Sequence, residues 1–207
     1  MEEPTVVRVS GGPVLEARVS LVDGAGGGFV LCHPHPLYGG DMDNPVVVRA
    51  AEVAQAAGYA TLRFNFRGVG GSEGVHDKGQ GEQDDVRAAM TTLAARLPAG
   101  RLLGAIGYSF GAHAAARASR PGPAPLALIA PPLGMYDWSF LERGGGPVLL
   151  TAGTRDGYCP VEALHRLAQA TGSIERLIEG ADHFFFGKLY PLGEAIEAWL
   201  AAIQPAA

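Results

Sequence analysis

The sequence has few cysteines and no long apolar segments. The first shortage argues against a disulfide-rich or thiolate metal-binding protein, and the second argues against a membrane-spanning one. Its two cysteines, Cys32 and Cys159, are too few for a disulfide framework or a thiolate metal site. No uninterrupted apolar run approaches the about 18 residues that a membrane-spanning helix needs. The acidic start, Met-Glu-Glu-Pro, lacks the basic and apolar regions of a signal peptide. We therefore expect a cytoplasmic protein with no membrane partner.

Positive charge is also scarce. Lysine and arginine together number 16 against 21 acidic residues, which gives a formal net charge of −5 at pH 7, and the basic residues form no patch. Because nucleic acids are bound through such patches, we expect no nucleic-acid partner. The chain has 207 residues, 47% of them hydrophobic, and this predicts a single domain over 1–207 with a sizeable core.

Strand patterns alternate with helix patterns along the chain. This alternation predicts an α/β fold: a mostly parallel twisted sheet of about seven to eight strands, with helices on both faces and an antiparallel hairpin at one edge. The acidic segment 73–85 is expected to be a solvated loop and helix start, with the alternative that Glu73 or Asp77 lies at the rim of the site. Strands are predicted at 5–9, 14–22, 29–32, 59–66, 101–106, 125–130, 147–152 and 174–178. Helices are predicted at 46–57, 82–97, 110–119, 160–171 and 188–203.

One serine stands between two glycines where a strand passes directly into a helix, in the stretch Gly107-Tyr108-Ser109-Phe110-Gly111. A sharp strand-to-helix turn holds its central residue in a strained conformation and exposes the side chain. The helix that follows offers free N–H groups beside it. We therefore predict that Ser109 is a nucleophile and that the Phe110 N–H stabilises an oxyanion.

A serine hydroxyl needs a base, and three histidines follow Ser109 in the sequence. His113 lies one turn along the same predicted helix and points back poorly, and His165 lies in the middle of a helix. His183 follows a strand in a loop, and it is the predicted base.

The acid that orients the base has three candidates. Asp156 follows the strand 147–152 in a turn and is the predicted acid. Asp182 is adjacent to His183 and is expected to point elsewhere. Asp137, in an irregular loop before that strand, stays open as an alternative.

A second oxyanion N–H should come from the loop after the strand 29–32, which reads His33-Pro-His-Pro. The prolines cannot donate, so His35 and Leu37 are the near candidates, and we favour His35. The alternative is a zinc site on His33 and His35, but no further ligand follows at a useful spacing. We expect neither a metal nor an organic cofactor.

Taken together, these stretches resemble the α/β-hydrolase superfamily, and most closely its small dienelactone-hydrolase-like group of predicted bacterial esterases. The resemblance implies that Ser109, Asp156 and His183 form a catalytic triad. Dienelactone hydrolases carry a cysteine where this chain has Ser109, which favours ordinary ester hydrolysis. The stretches that carry the match are Cys32-His-Pro-His-Pro-Leu-Tyr-Gly-Gly40 with Met42-Asp-Asn44, Arg63-Phe-Asn-Phe-Arg-Gly-Val-Gly70 with Ser72, Gly107-Tyr-Ser-Phe-Gly111, and Gly180-Ala-Asp-His-Phe-Phe185.

Related lipases insert a helical cap after the sixth strand, and this chain has no room for a substantial one. Only residues 131–146 separate the strands 125–130 and 147–152. The site should therefore be open and suited to small or short-chain esters. The predicted substrate-binding residues are Leu37, Tyr38, Tyr108 and Phe184, with Phe110, Tyr136 and Trp138 as further lining candidates.

The predicted function is that of a serine carboxylesterase whose partner is a small-molecule ester. A thioesterase or a lactone or dienelactone-type hydrolase would use the same residues, and the sequence does not separate them. Two alternatives of other classes are a non-catalytic binding protein of the same fold and a metal-dependent hydrolase. The sequence does not indicate the oligomeric state.

Overall fold

The computed structural model describes residues 2–143 and 145–203 and contains one sheet of eight strands. The strands lie in the order β1-β2-β4-β3-β5-β6-β7-β8. The pairs β1–β2 and β2–β4 are antiparallel and every other neighbouring pair is parallel, as the sequence predicts. The strands are β1 Glu3–Arg8, β2 Val14–Ser20, β3 Gly27–Cys32, β4 Ala60–Phe64, β5 Leu102–Tyr108, β6 Leu126–Ile129, β7 Val148–Gly153 and β8 Ile174–Ile178.

Five α-helices cover the two faces of the sheet in the described residues. They are α1 Pro45–Ala56, α2 Gly81–Ala94, α3 Phe110–Ser119, α4 Val161–Thr171 and α5 Leu189–Ile203. Alternate residues of β3 enter two separate cores, because successive side chains of a strand point to opposite faces. Val30 belongs to the core that holds residues of α2, α3 and α4, and Phe29 belongs to the core that holds residues of α1 and α5.

The predicted elements all occur, and their ends agree to within three residues; the difference that bears on the site is at the end of β4. A strand was predicted to run to Phe66, but it ends at Phe64. The reason is that the Phe66 N–H donates a hydrogen bond to the buried side chain of His33 at 3.0 Å instead of to a neighbouring strand. The chain therefore leaves the sheet two residues early and starts the loop beside the site.

The segment between β6 and β7 is short, as predicted. In its described part the helical structure is one 3-10 turn, Ser139–Arg143. Nothing in this segment, as far as it is described, forms a cap over the carboxyl ends of the strands. Within 2–143 and 145–203 we find no helix with the length and hydropathy needed to cross a membrane.

The prediction of a solvated acidic segment over 73–85 is wrong for two of its members. Glu82 and Asp85 are both fully buried. Glu82 lies in the first turn of α2 and Asp85 directly after it, both on the side that faces the core, where their carboxylates bind the loop that follows β4. Asp85 accepts hydrogen bonds from the Arg67 backbone N–H at 3.1 Å and from the Arg67 guanidinium at 2.6 Å.

We predict that Asp85→Ala lowers the free energy of unfolding by about 3 kcal/mol, because it leaves a poorly exposed guanidinium and a backbone N–H without their partner. Asp84→Ala is the matched control. It removes an acid from the same helical turn, but the Asp84 side chain is 62% exposed and bonded to Arg87 on the surface. The control should therefore lose no more than about 1 kcal/mol. Urea denaturation followed by circular dichroism measures both, and equal losses would contradict the anchoring role of Asp85.

Candidate active site

Ser109 lies in the sharp turn between β5 and α3. Its backbone has φ 55° and ψ −118°, a conformation that L-residues rarely adopt. A Cβ atom on Gly107 would lie 2.3 Å from the carbonyl oxygen of Gly111, and one on Gly111 would lie 2.2 Å from the carbonyl oxygen of Cys32. The two glycines are therefore required by close backbone contacts, and they let α3 start directly against the end of β3.

A line of hydrogen bonds joins Ser109 to two residues from other loops. The Ser109 hydroxyl lies 3.0 Å from Nε2 of His183, and Nδ1 of His183 lies 2.8 Å from Oδ2 of Asp156. Asp156 and His183 are both buried. The other Asp156 oxygen accepts from the backbone N–H groups of Tyr158 and Cys159 at 2.8 and 3.0 Å. Nδ1–H therefore donates to the carboxylate, and Nε2 is left to accept the serine proton.

The other two histidines are engaged elsewhere. The His113 ring stacks on Tyr136 with centroids 4.3 Å apart, and burial lowers the pKa of His113 to about 4. His165 is exposed and lies 3.0 Å from Glu175. Of the three candidates, His183 is the one that the structure brings to Ser109.

The other two acids cap local turns. Asp182 accepts hydrogen bonds from the N–H groups of Phe184 and Phe186, at 3.0 and 3.4 Å. Asp137 accepts from the Ser139 N–H at 3.0 Å. Asp156 is the acid in contact with the His183 ring.

The loop that carries His183 is held by a buried tyrosine. The Tyr108 hydroxyl donates to the backbone carbonyl of His183 at 2.8 Å. Burial raises the pKa of Tyr108, so this hydroxyl stays protonated and remains a donor at neutral pH. Tyr108, the neighbour of Ser109 in the sequence, thus also holds the backbone of His183 in place.

His33 is a structural histidine. Its Nδ1–H donates to the carbonyl of Pro34 at 2.7 Å, and its Nε2 accepts from the Phe66 N–H. Burial lowers the pKa of His33 to about 4, so the ring is neutral. With both nitrogens bonded to the backbone, His33 has none left for a metal ion. Among the described residues no group of three or more His, Cys, Asp or Glu side chains is placed to hold one.

Phe110 and His35, whose N–H groups are the predicted oxyanion donors, both line the cavity beside Ser109. Phe110 is the first residue of α3, so its N–H has no acceptor within the helix. In the loop after β3, the Leu37 N–H donates to Nδ1 of His35 at 3.2 Å, and the N–H groups of Tyr38 and Gly40 donate to the His35 carbonyl at 3.1 Å each. The His35 N–H is therefore the better of the two predicted donors in this loop.

A buried carboxylate behind His35 was not anticipated. Glu82 lies 2.8 Å from Nδ1 of His76 and accepts from the N–H groups of Asp77 and Gly79 at 2.8 Å each. The His76 ring lies 4.9 Å from the ring of His35. A hydrophobic pattern could not reveal this cluster, because Glu82 also fits the ordinary preference for acids in a first helical turn.

Ser109, His183 and His35 line an open cavity of about 380 Å³. Tyr38, Tyr108, Phe110, Tyr136 and Phe184 line it, as the sequence analysis suggests. Two predicted residues lie elsewhere: Leu37 is 69% exposed outside the lining, because the 3-10 turn Pro36–Tyr38 carries it to the surface, and Trp138 is buried against Phe140. Lining residues that the sequence analysis missed are Pro34, Gly39, Gly40, Asn44, Pro132, Met135 and Tyr158.

Comparison with known proteins relates most of the chain to one family. Residues 30–201 match the model of a family described as X-Pro dipeptidyl-peptidase (S15 family). An uncharacterized protein of Rickettsia prowazekii is 37% identical over 187 residues, which cover 84% of this chain and 79% of that protein.

Two solved structures are similar over almost the whole chain. An α/β serine hydrolase homologue from Coxiella burnetii has a TM-score of 0.87 and 32% identity, covering 96% of this chain and 97% of its own. A lid-less α/β serine hydrolase from Xanthomonas campestris has a TM-score of 0.88 and 31% identity, covering 100% of this chain and 96% of its own.

The depressed pKa of His33 predicts how stability depends on pH. Below its usual pKa of 6.5 the histidine takes up a proton in the unfolded chain, whereas in the folded protein it stays neutral down to about 4. The free energy of unfolding should therefore fall as the pH falls from about 6.5 to about 4, and be independent of this group above 6.5. Between pH 6.5 and 5 the loss from His33 is about 2 kcal/mol.

Urea denaturation of His33→Gln at pH 7.5 and pH 5 measures this contribution. The variant should lose less stability on acidification than the wild type, because it has no imidazole to protonate. His165→Gln replaces an exposed histidine and should keep the wild-type dependence. A wild-type pH dependence in His33→Gln would show that His33 is not held neutral.

Proposed function

The chain belongs to the X-Pro dipeptidyl-peptidase (S15) family, within the α/β hydrolases of the serine type, and we propose that it is a serine carboxylesterase acting on small or short-chain esters. One observation carries the proposal: the continuous line of hydrogen bonds from Asp156 through His183 to Ser109 beside an open cavity. Such a line is the arrangement that makes a serine hydroxyl nucleophilic.

In the proposed acylation step, Ser109 Oγ attacks the ester carbonyl carbon while its proton passes to Nε2 of His183. The Asp156 carboxylate stabilises the resulting imidazolium through its bond to Nδ1. As the carbonyl oxygen becomes negatively charged, it accepts hydrogen bonds from the N–H groups of Phe110 and His35. The carbon–oxygen bond to the alcohol then breaks, His183 returns its proton to the leaving oxygen, and the acyl group stays on Ser109.

Deacylation repeats the same chemistry with water. His183 removes a proton from water, the resulting hydroxide attacks the acyl carbon, and the Ser109 oxygen leaves with the proton that His183 returns. The carboxylic acid is released and the site returns to its starting state. In both steps His183 transfers the protons, Ser109 and water supply the attacking oxygen atoms, and backbone N–H groups stabilise the charge. The proposal therefore includes no cofactor.

The composition of the cavity favours an ester over the substrate that the family description names. A dipeptidyl-peptidase has to bind the ammonium group at the start of its peptide, and a carboxylate is the natural partner for that charge. None of the described residues that line this cavity is an aspartate or a glutamate. The lack of a cap in the described β6–β7 segment leaves long acyl chains without a cover, which favours short ones.

We predict that the wild-type protein hydrolyses p-nitrophenyl acetate and butyrate, acts weakly on the octanoate, and leaves the palmitate intact. Ser109→Ala should lower kcat by about 10⁶, since it removes the nucleophile. A fluorescent organophosphonate should label the wild type once per chain and leave Ser109→Ala unlabelled. Release of p-nitrophenol and intact-protein mass spectrometry provide the two readouts.

Ser10→Ala is the control for labelling, because Ser10 is exposed in the turn between β1 and β2, at the edge of the sheet, and is not part of the cavity lining. It should keep full activity and full labelling.

Glycyl-prolyl p-nitroanilide tests the peptidase alternative, and S-ethyl thioacetate and γ-butyrolactone test the thioesterase and lactonase alternatives in parallel. The esterase proposal fails if the wild type neither hydrolyses an ester nor reacts with the phosphonate.

The role of the His35 N–H can be tested because its backbone already suits proline. His35 has φ −58°, close to the value that a proline ring imposes. His35→Pro removes the N–H, and His35→Ala removes the same imidazole but keeps the N–H. We expect kcat for p-nitrophenyl acetate to be about 10²-fold lower in the proline variant than in the alanine variant. Equal kcat values in the two variants, with matching circular dichroism spectra, would exclude this N–H as an oxyanion donor.

A further inference from the structure

Aromatic side chains meet the cavity on two sides of Ser109. On one side the rings of Tyr158 and Phe184 lie 4.8 and 5.6 Å from the ring of His183. On the other side the ring of Tyr38 lies 4.8 Å from the ring of His35. Each side therefore belongs to a different part of the proposed chemistry.

The proposed mechanism determines which part of the ester meets which side. The leaving alcohol oxygen receives its proton from Nε2 of His183, so it must come within hydrogen-bond distance of that atom. The carbonyl oxygen must lie at the N–H groups of Phe110 and His35. The alcohol portion of the ester therefore extends past the His183 ring toward Tyr158 and Phe184, and the acyl portion lies on the His35 side.

The two rings beside His183 are partly uncovered, and the turns that carry them have hydrogen-bonded backbones. Tyr158 is 52% exposed and Phe184 is 56% exposed, so a large part of each ring is not covered by the protein. Their backbones are held by acids of the same loops, since the Tyr158 N–H donates to Asp156 at 2.8 Å and the Phe184 N–H donates to Asp182 at 3.0 Å. The side chains thus present partly uncovered aromatic surface from rigid turns.

We propose that Tyr158 and Phe184 form a subsite for an uncharged aromatic ring in the alcohol portion of the substrate, an inference that rests on the proposed esterase function. Apolar contact alone would accept any hydrocarbon of the right size. Aromatic pairs gain additional energy from edge-to-face and offset contacts. The described lining of the cavity contains no lysine, arginine, aspartate or glutamate, so no permanently charged side chain there would pair with a charged substrate group.

Two pairs of substrates separate aromatic recognition from size. The first pair is 2-phenylethyl acetate and 2-cyclohexylethyl acetate, which share the acyl group and differ only in the ring of the alcohol. We expect the phenyl ester to have a kcat/KM about fivefold higher in the wild type. The second pair is ethyl phenylacetate and ethyl cyclohexylacetate, in which the same two rings are on the acyl side.

The variant Tyr158→Leu/Phe184→Leu removes both rings and keeps apolar side chains. Its kcat/KM ratio for the first pair should fall to about one, and its ratio for the second pair should stay at the wild-type value. Phe186→Leu is the matched control, because Phe186 is 79% exposed, lies two residues from Phe184 and is not part of the cavity lining. It should keep the wild-type ratio for both pairs. All three residues are largely exposed, so the variants should fold, which thermal unfolding checks.

Ethyl acetate and the organophosphonate separate failure of the subsite from failure of the function. If the wild type hydrolyses ethyl acetate and shows a ratio near one for the first pair, the aromatic subsite is wrong and the esterase proposal stands. The subsite is equally wrong if the double variant keeps the wild-type ratio, or if it changes only the acyl pair. If the wild type hydrolyses no ester and resists the phosphonate, both proposals fail.

Discussion

The close approach of α3 to the end of β3 is the constraint on which the site depends. It requires glycine at 107 and 111, where any Cβ would meet a backbone oxygen at 2.2 to 2.3 Å. The turn between them forces Ser109 into its strained conformation and starts α3 with an unbonded N–H beside the serine. The same contact brings Ser109 next to the loop that follows β3. The strained backbone at Ser109 costs stability, and it persists because the close backbone contacts of Gly107 and Gly111 fix the chain on both sides of it.

Each side of the site is supported by a different kind of interaction. On the His35 side the supports are buried and polar: His33 bonds to the Phe66 N–H, Asp85 bonds to Arg67, and Glu82 bonds to a turn. On the His183 side the support is one hydroxyl, that of Tyr108, together with acids that cap their own loops. The first side therefore has the rigidity that fixed backbone donors need. The second side combines a held backbone with exposed rings, which suits it to contact with substrate.

The sequence predicted the architecture well because the strands are short apolar runs and the helices are amphipathic. The predicted contact of His183 with Ser109 and Asp156 is present in the geometry, because chain order and the shared edge of a parallel sheet leave few combinations. The burial of Glu82 and Asp85 escaped prediction, since an acid near the start of a helix has the same pattern whether it faces water or a neighbouring loop. The positions of Leu37 outside the cavity lining and of Tyr158 within it depend on local turn geometry, which a hydrophobic pattern does not encode.

The distribution of exposed apolar side chains follows from the same architecture. Most of the large hydrophobic side chains that remain exposed lie in segments that follow the carboxyl ends of parallel strands. They are Leu37, Tyr38, Val75, Met135, Tyr158, Phe184, Phe186 and Tyr190. Four of them, Tyr38, Met135, Tyr158 and Phe184, line the cavity beside Ser109. A cap would bury such residues permanently, whereas in its described part the segment between β6 and β7 provides none. Under the proposed function the substrate covers the rings that line the cavity, so the apolar area it buries contributes directly to binding.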